Sequence, residues 1–316
     1  MLVLVLLLVL AIDYEDEEED DATILGNATE VHRFDASHNP TYTIVWSYTV
    51  WRFYQRREWE AAMKERKAKM GRYQAYSDDY YVNMNLNTEM ELPHSRETLL
   101  HFFEQVKKHY PEMRNFYSRE RGEFVLEEDK DRGDYRWTSI ESRRICSGSV
   151  NPASVEEAMK QHALVLDMVP YALSVSPLDC ESLNVMYGFD FTYRGNHNQL
   201  LVDALGVVPA FDKLSQIEGA TILANEPSIQ FALDEECRTQ CRLSVETRTS
   251  AYHLRTKEFP EEQISVYFTA RRYGSLEGGE TYVSAMSKLA EICQEIVDGY
   301  VVENVLRPLQ QTIAIS

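Results

Sequence analysis

The sequence predicts an α+β fold, with largely antiparallel sheets and helices gathered on one face. Residues 82–92 alternate apolar and polar side chains over eleven positions, which is typical of a half-buried strand. Residues 99–106 then place apolar side chains at i, i+3, i+4 and i+7, the spacing of a buried helix face. Short strand-like segments separated by turn residues follow. Strands that follow one another as a meander, with helices gathered on one face, indicate a largely antiparallel α+β architecture.

The first half of the body follows that order along the chain. Pro93 closes the first strand, Ser95 caps the helix that follows, and Pro111 ends it. A further helix starts at Ser154, with Glu157 in capping-box register, and ends at Pro170. Between the two helices we expect three strands, at residues 115–119, 123–127 and 134–145.

The second half repeats the order. A long strand at residues 185–193 is followed by a helix that Asn196 caps and Gly206 stops. A short helix at 209–216 and strands at 229–233, 241–249 and 264–273 come next, and the last helix starts after Gly278-Gly279, with Gly299 and Pro308 expected to weaken and kink it. This predicts two similar β-α-β-β-β-α halves, residues 76–175 and 176–316. Only the element order supports a duplication, so its origin stays open.

Charge narrows the classes of partner. The 316 residues carry a net charge of −19, which argues against nucleic-acid binding because phosphate contacts need a basic surface. Eight of the acids lie in residues 13–21, so the rest of the chain sums to −11. Residues 52–72 carry eight bases against three acids, typical of a solvated helix or of one that lies on an anionic membrane.

The N-terminal region divides into two predicted segments. Residues 1–40 are an apolar tail followed by an acidic low-complexity stretch, and residues 41–75 are an aromatic stretch and a basic helix. The apolar run at residues 2–12 would span about 16 Å as a helix, roughly half a bilayer core. A secretory signal requires a basic residue before the apolar run, and this run has none. An apolar tail or an overextended gene start is the favoured interpretation, a signal or anchor stays open, and we expect a cytoplasmic protein. The alternative is a membrane-associated protein attached through residues 1–72.

The cysteines predict neither disulfides nor a metal site. Five cysteines at irregular spacing are typical of a reducing compartment. Cys237 and Cys241 are the closest pair, and on one strand their side chains would lie about 13 Å apart. We predict no metal and no cofactor.

Motifs for a specific reaction are missing from the sequence. It contains no G-x-x-x-x-G-K-[ST], G-x-G-x-x-G, H-E-x-x-H or G-x-S-x-G. Residues 143–149 have the composition of an anion-binding turn, although surface ion pairs with Glu141 are the favoured interpretation. His162 lies among apolar neighbours, and we expect a packed or half-exposed structural residue there rather than a ligand.

Polar side chains alternate along three strands of the second half. Residues 242–248, 267–273 and 190–194 each place polar groups on one side, so their pairing would gather Arg, Asp, Glu and Tyr on one sheet face. An Asp, an Arg and a His also follow one another at a strand end, where they could bind an anion and move a proton. The predicted ligand-binding residues are Asp190, Arg194, His197, Arg242, Glu246, Arg248 and Arg271.

The chain resembles a sporadically distributed family of uncharacterised bacterial proteins. The resemblance lies in the late strand Ile264-Ser265-Val266-Tyr267-Phe268, the long final helix that carries residues 291–302, and the strand-helix-meander-helix order from Val82. It covers about residues 80–310. It implies a conserved cytoplasmic protein and assigns no catalytic residue.

Three functional hypotheses remain. The first is a non-enzymatic binding or scaffold protein that uses an open sheet face, or the groove between the halves, for a protein or small-molecule ligand. The second is an enzyme that acts on a small anionic substrate through Asp190, Arg194, Glu246 and Arg248. The third is a membrane-peripheral protein. If the charged side chains converge in one concave site, ligand binding or catalysis is favoured over a scaffold role.

Overall fold

A computed structural model describes residues 73–119 and 122–316, so the predicted segment 1–40 and all but the last three residues of the predicted segment 41–75 lie outside the described residues. Nine strands form one antiparallel sheet in the order β2-β3-β4-β5-β1-β6-β9-β8-β7, and the α+β prediction is confirmed. The strands are β1 Asp79–Thr88, β2 Asn115–Arg119, β3 Glu123–Glu127, β4 Tyr135–Ile140, β5 Arg144–Val150, β6 Cys180–Tyr193, β7 Ser228–Ala232, β8 Thr239–Glu246 and β9 Glu262–Tyr273. The helices are α1 Arg96–His109, α2 Val155–Ala172, α3 His197–Leu205, α4 Asp212–Ser215, α5 Ala251–Thr256, α6 Tyr282–Ile296 and α7 Arg307–Ile315.

Local sequence explains the first elements. The apolar members of β1 point to one side, where Val82, Met84 and Leu86 are fully buried. The Ser95 hydroxyl accepts a hydrogen bond from the Thr98 amide and so satisfies one free donor of the first turn of α1. Apolar side chains of α1, α2 and α6 pack with this side of the sheet into one core. The opposite face carries the polar members of the strands and is half-buried along β1.

The two halves share a pairing scheme. In each, the first strand pairs with the last strand of its meander, β1 with β5 and β6 with β9. β1 and β6 also pair with each other, from Asp79 opposite Asp190 to Thr88 opposite Cys180, and this ladder joins the halves at the centre of the sheet. Whether the halves are a duplication remains a prediction.

The first half has one strand more than predicted. The segment predicted as a single strand at 134–145 is two strands, β4 and β5, which turn back at residues 141–143. The Glu141 amide donates to the Arg144 carbonyl oxygen at 2.8 Å and closes this turn without a Gly or Pro, the usual turn signals. Arg143–Ser149 is therefore mostly strand β5 rather than an anion-binding turn, and the Arg144 guanidinium pairs with Glu141.

The C-terminal helices continue where a break was expected. Residues Val297–Leu306 form a π-helical segment between α6 and α7, so Gly299 does not interrupt the chain. Pro308 lies in the first turn of α7, where a missing backbone N–H costs little. The α2 helix likewise runs two residues past Pro170, to Ala172.

A polar cluster is buried between α2 and the sheet. The His162 ring is fully buried, with Nδ1 2.9 Å from the Ser147 hydroxyl and Nε2 3.2 Å from the Val82 carbonyl oxygen. Since the carbonyl can only accept, Nε2 carries the proton and Nδ1 accepts from Ser147. Gln161 donates to the carbonyl oxygens of Trp137 and Gly148, at 3.1 Å each. Burial lowers the pKa of His162 to about 4, which keeps the ring neutral and structural.

Candidate functional site

A shallow depression of about 420 Å³ lies on the polar face of the sheet, over β6, β9, β8 and β7. We name it the tray. Its volume is within the range of small-molecule sites. The charged and hydrogen-bonding side chains that line it include Gln230, Gln240, Arg242, Glu246, Tyr267 and Arg271.

Strand register places two arginines of the tray side by side. Arg242 on β8 lies opposite Thr269 on β9, and Arg271 is two residues farther along β9. Diagonal neighbours of this kind on one face of an antiparallel pair are about 7–8 Å apart. The long side chains of Arg242 and Arg271 are therefore within reach of one small group placed between them.

Hydrogen bonds hold each arginine and leave terminal donors free. Arg271 donates from Nε to Asn184 Oδ1 at 2.7 Å and from Nη1 to the Tyr273 hydroxyl at 2.9 Å. Arg242 donates from Nε to the Ser228 hydroxyl at 3.2 Å. Within the described residues, no carboxylate lies within 4.0 Å of either guanidinium, and Nη2 of Arg271 and both terminal nitrogens of Arg242 have no partner. Such forks match the geometry of a carboxylate or phosphate.

A hydrogen-bonded network adjoins the other end of the tray. The Tyr81 hydroxyl donates to Asp190 Oδ1 at 3.3 Å. Arg248 donates to the Ser265 hydroxyl at 3.3 Å and pairs with Glu246 at 3.5 Å. Burial raises the pKa of Asp190, against the opposing effect of hydrogen bonds from Ser265 and Tyr81. This end of the tray therefore combines a carboxylate of raised proton affinity with a half-buried phenol.

Two glycines shape the polar face. A Cβ on Gly188 would lie 2.2 Å from the Tyr81 ring, and one on Gly148 would lie 2.2 Å from Nε1 of Trp137. Each aromatic ring thus lies flat over a glycine of the neighbouring strand, an arrangement that any side chain would prevent. Tyr81 also meets the ring of Tyr267 edge-on at 6.4 Å, and this contact positions the phenol beside Asp190.

The predicted site residues separate into three groups. Arg242, Glu246 and Arg271 line the tray. Asp190 and Arg248 belong to the adjoining network. Arg194 and His197 lie apart from both the tray and the adjoining network.

Arg194 and His197 lie beyond the end of β6, where the chain turns into α3. The Arg194 side chain points away and donates to the Phe259 carbonyl oxygen at 3.4 Å. His197 is 1% exposed, with Nε2 bonded to the Tyr193 carbonyl oxygen and Nδ1 accepting from the Arg248 amide. Burial lowers the pKa of His197 and keeps it neutral, so its contacts are structural. The predicted Asp–Arg–His cluster at this strand end does not form.

Sequence reasoning missed several residues of the site. Gln240 was overlooked because the strand was predicted to start at Cys241, whereas β8 begins at Thr239. Tyr81 and Asn184 were missed because they lie on β1 and β6 and reach the site only through non-local pairing. The alternation of Asn83, Asn85 and Asn87 along β1 was the available signal that its polar side belongs to the same face.

The cysteines do not converge. Cys237 lies exposed in the turn before β8 with a positive φ of 56°, rather than on a strand as predicted. Cys241 is buried on β8, where burial raises the pKa of its thiol to about 11. In the described part of the chain, no three His, Cys, Asp or Glu side chains are grouped closely enough to hold a metal ion.

Comparisons with known proteins add no family. No protein-family model and no curated protein sequence matches this chain. The resemblance to uncharacterised bacterial proteins therefore stays a prediction. Across residues 73–119 and 122–316, none of the helices combines the length and the apolar character needed to cross a bilayer.

Proposed function

We propose that the protein is a non-enzymatic binding protein that holds a small anionic ligand in the tray. The observation that carries this proposal is the pair Arg242 and Arg271, two neighbouring guanidiniums with free terminal donors and no carboxylate partner among the described residues. Hydrogen bonds between charged groups contribute about 1.5–3 kcal/mol each, more than neutral ones. A carboxylate or phosphate group between the two arginines satisfies these donors.

The charge of the whole chain limits how such a ligand is recognised. A net charge of −19 repels anions at long range, although salt screens this repulsion over about 8 Å at physiological ionic strength. Recognition therefore depends on contact with the two arginines rather than on steering. The tray is open, so part of the ligand stays hydrated and we expect modest affinity.

Calorimetric titration with inorganic phosphate and with succinate tests the proposal. We expect saturable binding of at least one of them, and a loss of at least tenfold in affinity in Arg242→Gln and in Arg271→Gln. Arg255→Gln removes the same charge from an exposed position on α5, outside the tray, and should bind as the parent does. Absence of binding, or an equal loss in Arg255→Gln, would contradict the assignment.

A second candidate is an enzyme that acts on a small anionic substrate. The observation in its favour is Asp190, a carboxyl of raised pKa that accepts from Tyr81 next to the tray. Such a group holds a proton more tightly than an ordinary aspartate, as a general base requires. For this candidate, Asp190→Asn should abolish turnover of the anionic substrate, while the affinity for phosphate or succinate changes less than threefold. Equal turnover in Asp190→Asn and the parent would exclude this role for Asp190.

Location is part of the same proposal. All five cysteines are free, and four of them are buried, which suits a protein that stays in the reducing cytoplasm. The alternative, attachment to a membrane through residues 1–72, concerns a part of the chain outside the described residues. Fractionation of cells that carry the full chain or a chain that starts at Tyr73, whose side chain belongs to the core, separates the two. Equal solubility of both forms would contradict membrane attachment.

A further inference from the structure

Within the described residues, the outer edge of β7 has no strand partner. All five residues of this strand, Ser228–Ala232, are exposed, and no described strand lies beyond it. The Val245 amide donates to the Pro227 carbonyl oxygen, and the Leu233 amide donates to the Thr239 carbonyl oxygen. The backbone N–H and C=O groups of the odd-numbered residues of β7 therefore point toward β8. In an antiparallel ladder, the backbone groups of the alternate residues point away from that partner strand. The backbone groups of Ser228, Gln230 and Ala232 therefore point outward without a strand partner in the described chain.

The two edges of the sheet differ in charge. At the opposite edge, β2 ends in Arg119, whose guanidinium pairs with Glu123 at 3.3 Å. Charged side chains on an edge strand discourage pairing with another chain. β7 carries no charged residue, and on the side that faces away from the tray Ile229 and Phe231 are 60% and 37% exposed. β7 therefore lacks the charged side chains that usually protect an edge strand from pairing with another chain.

We propose that β7 pairs with β7 of a second copy of this chain, antiparallel and centred on Gln230. In that register Gln230 lies opposite Gln230 of the second copy, and Ser228 lies opposite Ala232. All the outward backbone groups of the three residues then pair, with six hydrogen bonds between the copies. Ile229 meets Phe231 of the second copy twice on one face, as a two-fold interface requires.

The same register joins two trays. Gln230 lines the tray, and its side chain lies on the polar face at the seam between the copies. Pairing extends the polar face across the two-fold axis into one surface with a tray on each side. The dimer does not depend on what the tray binds, because its contacts are made by the backbone and by Ile229 and Phe231.

The short length of β7 limits the expected affinity of the dimer. A five-residue strand buries less than the roughly 800 Å² per partner of a standard interface, so we expect a dimer that forms at micromolar or higher concentration. At the ends of the seam, Asp234 comes near Glu226 of the second copy. Repulsion between these acids falls as salt is added, so dimerisation should strengthen with ionic strength.

Cross-linking of the full chain tests both the contact and its register. In a Cys237→Ser background, which removes the exposed native thiol, Gln230→Cys places two cysteines opposite each other with Cα atoms about 5.5 Å apart, within disulfide range. The matched variant Ser228→Cys places its two cysteines about 13 Å apart, which is too far. Under mild oxidation we expect a covalent dimer from Gln230→Cys and at least tenfold less from Ser228→Cys. Equal cross-linking of the two would overturn the proposed register.

Mass measurement by light scattering gives an independent check. The parent should shift from monomer toward dimer between about 1 and 100 µM, and Ile229→Lys should remove the shift by adding a charge to the edge. Ile315→Lys adds the same charge to another exposed isoleucine, on α7, and should dimerise as the parent does. A parent that stays monomeric at 100 µM, or a shift that persists in Ile229→Lys, would overturn the proposal.

Discussion

The two halves of the sheet share an element order, but the first half buries a polar cluster in its core and the second half presents two arginines on the open face. In the first half, Gln161 and His162 of α2 and Ser147 of β5 lie buried between the helix and the sheet, where they hydrogen-bond with one another and with the backbone. In the second half, Arg242 and Arg271 lie on the open face with donors to spare. Apart from Gln161 Oε1, the buried polar groups of this first-half cluster are held by one another and by the backbone, whereas the free donors of the second half are available to a ligand. Under the proposed function, the first-half cluster contributes stability and the second-half arginines contribute recognition.

The largest expected effect tests the stabilising role of the first half. His162→Ala leaves a cavity, removes the acceptor of the Ser147 hydroxyl and removes one donor to the Val82 carbonyl oxygen. We expect a loss of about 4 kcal/mol in the free energy of unfolding, measured by urea denaturation. The control His101→Ala removes an exposed histidine from α1 and should change stability by less than about 0.5 kcal/mol. A similar loss in both variants would show that the cluster under α2 has no special role.

The next effect is a pH dependence. The pKa of His162 is about 4 in the folded protein, below its usual 6.5, so the unfolded chain binds the proton more readily. The stability is fully present above about pH 6.5 and is lost as the pH falls toward 4, by about 3 kcal/mol in all. His162→Gln, which cannot titrate, should lose less stability over this window. Unfolding free energies of both proteins at pH 7 and pH 4.5 measure the difference, and parallel pH profiles would contradict it.

The smallest of the three effects compares the glycines beneath the aromatic rings. Gly148→Ala displaces Trp137 and Gly188→Ala displaces Tyr81, and each should destabilise the protein by about 2 kcal/mol in thermal or urea unfolding. Only Gly188→Ala should also alter the tray, because Tyr81 is bonded to Asp190. Gly299→Ala meets no neighbouring atom within 4 Å and should be neutral or slightly stabilising. A loss from Gly299→Ala as large as from the other two would remove this explanation.

Local patterns were sufficient to predict most elements of the fold. Alternation identified β1, and helical spacing with a capping Ser95 identified α1, because these signals depend only on neighbouring residues. The turn between β4 and β5 was missed because it is closed by a backbone hydrogen bond at Glu141 and not by a characteristic turn residue. The π-helical segment at Val297–Leu306 likewise has no recognised sequence signal.

Prediction of the site was partial for a different reason. Arg242, Glu246 and Arg271 share one face because strand periodicity fixes the direction of side chains within and between paired strands. Arg194 and His197 were misplaced because closeness in sequence at a strand end does not give closeness in space, and the chain turns at Asn196 into α3. Tyr81 reaches Asp190, 109 positions later, through pairing that no local pattern reveals.

The pairing of β1 with β6 has a consequence for synthesis on the ribosome. β1 is among the first strands to emerge, yet one of its two edges waits for β6, whose Asp190 pairs with Asp79. At about 5–20 residues per second, the chain spends several seconds with this edge unpaired in the nascent first half. An unpaired central strand recruits other chains readily. This edge of β1 is therefore available for incorrect pairing until β6 has been synthesised, whereas the finished sheet leaves β1 paired on both sides.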